Sequence, residues 1–240
     1  MSAFVAFVVT ALMLVPAALV AIPVHELGHA LAAYLIGDRS VRYFGYLAYK
    51  PRRLIDPLGA IAVFVALVGW GRRVPVQTNR INTMGRKVAY ELGGPAANLA
   101  VGLVLGLALR LMIATGVTVG SLATPLDVAA LLLYAVWFLN LSIMAFQLLP
   151  IPGLDGWNVV EALFHDRNPR FFYNLSVRRR EIWIGAVLVV ILFQLFQGAN
   201  LLGLVMAPFF QPASLISLGQ CSGYAIPNLN GLVPCLPWGR

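Results

Sequence analysis

The stretch Ala11-Leu-Met-Leu-Val-Pro-Ala-Ala-Leu-Val-Ala-Ile-Pro-Val-His25-Glu26-Leu27-Gly28-His29-Ala-Leu-Ala-Ala-Tyr-Leu-Ile36 decides the fold class. It belongs to an apolar run from about residue 3 to residue 36, longer than the roughly 20 residues that cross a hydrocarbon core. Three ionisable groups stand inside it. Residues i and i+4 of a helix share a face, so His25 and His29 can reach one cation. Glu26, beside them, can reach a metal-bound water without being a ligand. Ionisable groups at membrane depth are costly and mark function by default. The plain alternative is a pair of helix-packing histidines satisfied by neighbouring backbone.

The rest of the chain agrees about the solvent. Of its 240 residues 60% are hydrophobic and only 11% charged, with a mean hydropathy of +0.83. Soluble domains carry about a quarter charged residues, so this chain cannot cover itself with water-compatible groups. Further apolar runs lie near residues 88–113, 126–149 and 183–209. The expectation is an all-α integral membrane protein with about four transmembrane helices. Its net charge of +8 would point to nucleic acid in a soluble protein. Here fifteen of the 17 basic residues fall in residues 37–55, 71–87 and 156–181, which is the positive-inside pattern and places those stretches in the cytoplasm. No nucleic-acid partner is expected.

A fifth apolar run, Pro57 to Trp70, is too short to span and has basic clusters on both sides. It reads as a re-entrant or interfacial hairpin that could offer an extended edge to a peptide. The first run has no positive charge before it and is read as a retained span rather than a signal peptide. Residues 1–210 form the membrane-embedded core, and residues 211–240 an extracytoplasmic tail. Cys221 and Cys235 lie in that tail, where a disulfide is permitted and two free thiols are the alternative.

Zinc suits imidazole and carboxylate ligands and needs a third protein group plus an open position for catalysis. The candidate is Asp155, in Gln147-Leu-Leu-Pro-Ile-Pro-Gly-Leu-Asp155-Gly156. Two prolines break the helix there, and such backbone at membrane depth must be covered by protein or a watery cavity. On spacing alone Asp155 is equally a helix cap. Glu91 reads as an i,i+4 partner of Lys87, and His165 as a solvated residue. Arg178-Arg179-Arg180 is a topology signal, and Trp157 and Trp183 fit an interfacial belt.

Four segments in order, His25-Glu-Leu-Gly-His29 with Gly37-Asp38, Ile55-Asp-Pro-Leu-Gly59 with Val74-Pro75-Val76, Gly94-Pro-Ala-Ala-Asn98, and Leu149-Pro-Ile-Pro-Gly-Leu-Asp-Gly156, resemble the site-2 protease (M50) family. The likeness is to its compact bacterial members without PDZ or CBS domains. The resemblance implies an intramembrane zinc metalloendopeptidase in the bacterial cytoplasmic membrane, with its site towards the cytoplasm. It implies one zinc per chain on His25, His29 and Asp155, Glu26 as general acid and base, and Asn98 shaping the site. The partners it implies are a transmembrane protein substrate, membrane lipid, and other subunits if the chain sits in a complex. Two positions depart from the family pattern. Gln147 stands where Asn usually helps hold the substrate backbone, with Asn140 available to compensate, and Gly153 stands where a second proline is common. A non-catalytic peptidase-like subunit is the competing class. A transporter has less support, because only one interrupted-helix site is present.

Overall fold

The computed structural model describes residues 3–77, 79–179, 181–186, 188–189 and 201–219. The chain is an all-α membrane protein. Among the described residues, four helices are long and apolar enough to cross a bilayer: Val8–Ile36, Met84–Ala114, Pro125–Gln147 and Leu201–Leu218. We label the helices α1 (Ala3–Ile36), α2 (Ser40–Tyr43), α3 (Pro51–Leu54), α4 (Pro57–Ala66), α5 (Met84–Ala114), α6 (Pro125–Gln147), α7 (Asp155–Phe164), α8 (Pro169–Val177) and α9 (Leu201–Leu218). No strand forms among the described residues; the extended pairings are isolated bridges.

Local chemistry sets the helix starts. Thr124 and Asp127 form a capping box at the head of α6, with Pro125 as its first residue, which satisfies otherwise orphaned amides. Thr83 caps α5 through Arg86 N. Asp56 caps α4 by accepting from Leu58 N (2.9 Å) and Gly59 N (3.1 Å).

The run from Pro57 to Trp70 folds as expected of a hairpin in one respect and differs in another. Ile55 bridges antiparallel to Gly71, and Arg72 N donates to Leu54 O at 2.7 Å, so the two ends meet. Residues 57–66, however, are α-helical rather than an extended edge. With backbone donors deprived of water, a capped Asp-Pro start makes a helical turn the way to satisfy them within the segment. The helix stops at Leu67, which takes the left-handed conformation with φ 56°.

Packing centres on α1, α5 and α6, with α9 against α5 and α6 and α7 against α5. One stripe of α5, Tyr90, Gly94, Asn98, Gly102 and Gly106, is buried at four-residue spacing. Small residues let membrane helices approach closely, where packing rather than the hydrophobic effect drives association. At the α1–α5 crossing a Cβ on Gly93 would lie 2.6 Å from the Ala32 Cβ and 2.7 Å from Gly28 O. On the far side Trp137 of α6 is fully buried and donates from Nε1 to Ser217 Oγ of α9 at 3.0 Å.

Three expectations shift. The last apolar helix runs to Leu218, beyond the boundary drawn at residue 210. The helix carries Gln211 and Pro212 and buries Ala213, Ser214 and Ser217. Trp157 is 8% exposed and packs on Phe172 with ring centroids 5.5 Å apart, so it is a core residue and not an interfacial one. Glu91 pairs with Arg73 instead of Lys87. The span expected over 183–209 is described only in part, and Cys221 and Cys235 lie outside the described residues.

Candidate metal centre

The site is assembled from α1, α5, α6, the return of the hairpin and the start of α7. His25, Glu26 and His29 are all nearly inaccessible on the buried face of α1. The break after α6, through Pro150 and Pro152, delivers Asp155 as the first residue of α7. Leu154, not Asp155, occupies the cap position, and no side chain caps that helix. The Asp155 carboxylate is therefore free of the capping role that spacing alone allowed it.

The carboxylate points instead at the histidines. His25 Nε2 and His29 Nε2 are 3.1 Å apart, and each is 3.0 Å from Asp155 Oδ2. All three residues are buried, and together they can hold a metal ion.

The outer hydrogen bonds fix what these atoms present to one another. His29 Nδ1 lies 2.8 Å from the backbone carbonyl of Tyr90, a pure acceptor, so Nδ1 carries the proton. Asn98 Nδ2 donates to Ala21 O (3.0 Å) and to Asn140 Oδ1 (2.8 Å), which orients the amide. Asn98 Oδ1 then accepts from His25 Nδ1 at 2.8 Å. Both Nε2 atoms are left with lone pairs, facing each other and a carboxylate. Three acceptors and no donor converge, an arrangement that a cation between them satisfies. An ion bound at the usual 2.0–2.2 Å in tetrahedral geometry spaces its ligands by roughly 3.3–3.6 Å, a few tenths of an ångström beyond the separations found. Nitrogen and carboxylate donors in a three-protein-ligand set suit zinc.

Glu26 completes the centre without joining the triad. Its Oε2 is buried and has no hydrogen-bond partner. Gly71 closes over its other oxygen: a Cβ there would lie 2.5 Å from Oε1. A carboxylate oxygen held unpartnered beside a metal site is placed to take a proton. Gly94 forms the floor, where a Cβ would come within 2.7 Å of His25 Nε2.

His25, Glu26, His29 and Asp155 open onto a cavity of about 570 Å³, also lined by Gln147 and by Trp70 and Trp183, whose ring centroids are 5.8 Å apart. Gln147, buried at the end of α6, reaches this wall. Asn98 and Asn140 do not; both are fully buried behind His25. Gly153, with φ 111°, lets the loop pass beneath the Trp183 ring, where a Cβ would meet Cδ1 at 2.8 Å.

Sequence reasoning missed Arg73. Its Nη2 is 2.5 Å from Glu91 Oε2 and 4.0 Å from Asp155 Oδ1, and Asn158 Nδ2 also donates to Glu91 at 3.0 Å. Arg73 and Glu91 are 18 residues apart, and no helical spacing relates them. The one available signal was a lone acid in an apolar helix, which needs a counter-charge from somewhere.

The proteins named "Putative zinc metalloprotease" YwhC, from Bacillus subtilis, and Rip2, from Mycobacterium tuberculosis, are similar to this chain. YwhC is 35% identical over 148 residues, 60% of this chain and 66% of its own length. Rip2 is 37% identical over 153 residues, 60% of this chain and 54% of its own, and the Rip2 of Mycolicibacterium smegmatis is 32% identical over the same span. The chain thus spans between about half and just under two thirds of the curated relatives it matches. No family model and no solved structure matches it significantly. With a buried His-Glu-x-x-His helix, a distant aspartate brought onto both imidazoles, and relatives of this kind, the chain belongs to the site-2 protease family of membrane zinc metalloproteases.

Proposed function

We propose that this chain is an intramembrane zinc metalloendopeptidase, cutting peptide bonds in transmembrane segments of other proteins within a lipid bilayer. The observation that carries the reading is the convergence of His25 Nε2, His29 Nε2 and Asp155 Oδ2 beside the unpartnered Glu26 Oε2. Zinc held by those three residues supplies Lewis acidity, which acidifies water and polarises a carbonyl.

Each surrounding residue then has a task. Glu26 accepts the proton of the attacking water at Oε2 and returns it to the leaving amine. Asn98 keeps His25 in the tautomer whose Nε2 is a ligand, and Asn140 steadies Asn98. The amide of Gln147, at the cavity wall, is the group placed to hold the substrate backbone. The substrate must unwind locally, because carbonyls within a helix are already hydrogen-bonded. The basic stretches that flank the spans support a site opening towards the cytoplasm, in a bacterial cytoplasmic membrane.

Metal analysis of the detergent-purified protein tests the reading together with a cleavage assay on a transmembrane peptide. Wild type is expected to carry about one zinc per chain, lost in His25→Ala and Asp155→Ala. Glu26→Gln is expected to keep the metal and lose cleavage. Zinc binding with no cleavage by wild type returns the non-catalytic subunit. Absence of zinc from wild type after reconstitution at neutral pH sinks the peptidase reading and likewise leaves the non-catalytic subunit.

A further inference from the structure

We propose that the cavity at the metal centre selects substrate segments carrying a carboxylate beside the bond that is cut, with Arg73 and Arg179 as the specificity-determining residues. The inference rests on the peptidase reading above and names the substrate chemistry it favours.

Besides the two histidines, the ionisable side chains lining the cavity among the described residues are Glu26, Asp155, Arg73 and Arg179. With both imidazoles neutral, two carboxylates and two guanidinia cancel. A divalent ion adds two positive charges, and Glu91 behind Arg73 removes one. The loaded cavity is left with one excess positive charge. Much of the remaining wall is Trp70, Trp183 and Leu154, and a charge beside such low-dielectric surfaces is poorly screened. An anion brought by the substrate neutralises it.

The two arginines are suited to that anion in different ways. Arg73 is fixed in place by Glu91, yet half of its side chain remains exposed. A guanidinium already ordered loses little freedom when it binds, and its fork matches a carboxylate in two-pronged fashion. Arg179 is exposed and forms no ion pair among the described residues. A topology signal accounts for three consecutive arginines on one side of the membrane. It does not account for the middle one reaching the wall of the metal cavity.

The experiment uses synthetic apolar peptides of about 20 residues in matched pairs, with a single Asp or Asn stepped through the central positions. Binding is read by fluorescence anisotropy on the Glu26→Gln protein, and cleavage by mass spectrometry with wild type. At one or more registers the Asp peptide is expected to bind and be cut roughly tenfold better than its Asn twin, the scale of one charge-assisted contact. That ratio should fall towards unity in Arg179→Gln and in the double variant Arg73→Gln/Glu91→Gln, which leaves no lone buried carboxylate. Equal handling of the twins at every register overturns the charge preference and leaves the peptidase reading standing. A ratio unchanged in both variants overturns the roles of the two arginines. Failure of every peptide to bind or be cut overturns the preference and the peptidase reading together.

Discussion

Asn98 Oδ1 accepts the Nδ1 proton of His25 at 2.8 Å, across the interface between α5 and α1. The same amide donates to Ala21 O on α1 and to Asn140 on α6. One fully buried residue thereby ties three helices together and decides which nitrogen of His25 faces the metal position. Removing it should act on the metal before it acts on the fold.

Asn98→Ala is therefore expected to weaken zinc binding about 10- to 100-fold, the usual effect of losing a partner behind a ligand. Asn140→Ala, one contact further away, should have a smaller effect. Competition titration with a chelating dye gives both affinities. An Asn98→Ala protein binding zinc as tightly as wild type would remove Asn98 from the centre.

Gly94 bears on the same site by shape alone. A Cβ there would sit 2.6 Å from His25 Cε1 and 2.7 Å from Nε2, both inside van der Waals contact. Gly94→Ala should displace the imidazole and abolish stoichiometric zinc while far-UV circular dichroism stays unchanged. Alanine is a better helix former than glycine, so a loss of helicity would contradict this account.

Arg73 and Glu91 should respond asymmetrically. The Glu91 side chain is only 13% exposed, against 50% for Arg73. Arg73→Ala strands a mostly buried carboxylate, at a cost of roughly 1–3 kcal/mol, whereas Arg73→Ala/Glu91→Gln leaves no charge behind. The double variant should be the more stable of the two in thermal unfolding monitored in detergent. Equal melting would mean that Glu91 is solvated.

Asp38, just past the end of α1, gives a pH dependence. Its carboxylate accepts from Ser40 N (3.0 Å), Ser40 Oγ (2.5 Å) and Gln77 N (2.8 Å). Burial would raise its pKa, but these hydrogen bonds outweigh burial and hold it below the ordinary carboxylate value. A depressed folded-state pKa contributes stability that is present above the unfolded value, about 3.9. That stability is lost as pH falls through the lower folded value. Wild type should exceed Asp38→Asn in stability near neutrality, and the gap should close below about pH 4. A gap independent of pH would assign the effect to shape rather than charge.

How much of this was legible beforehand differs from residue to residue. The solvent, the helical class and the two imidazoles on one face follow from the sequence by itself. Composition sets what can touch lipid, and the i,i+4 spacing of His25 and His29 is a local property of any helix. The capped starts of α4 and α6 are local in the same sense, as is the hairpin that its basic flanks return to one side. Tertiary structure decided the rest. Asp155 is 126 residues from His29, and from spacing it was as good a cap as a ligand. Only the close approach of α1 to α5, and the turn after α6, make it a ligand candidate. Asn98, expected to shape the site, stands behind His25 because α5 turns it away from the cavity. Arg73 meets Glu91 because the hairpin folds its return across α5. Contacts of this kind depend on which helix faces touch, and a periodicity within one segment carries no information about the face its neighbour presents.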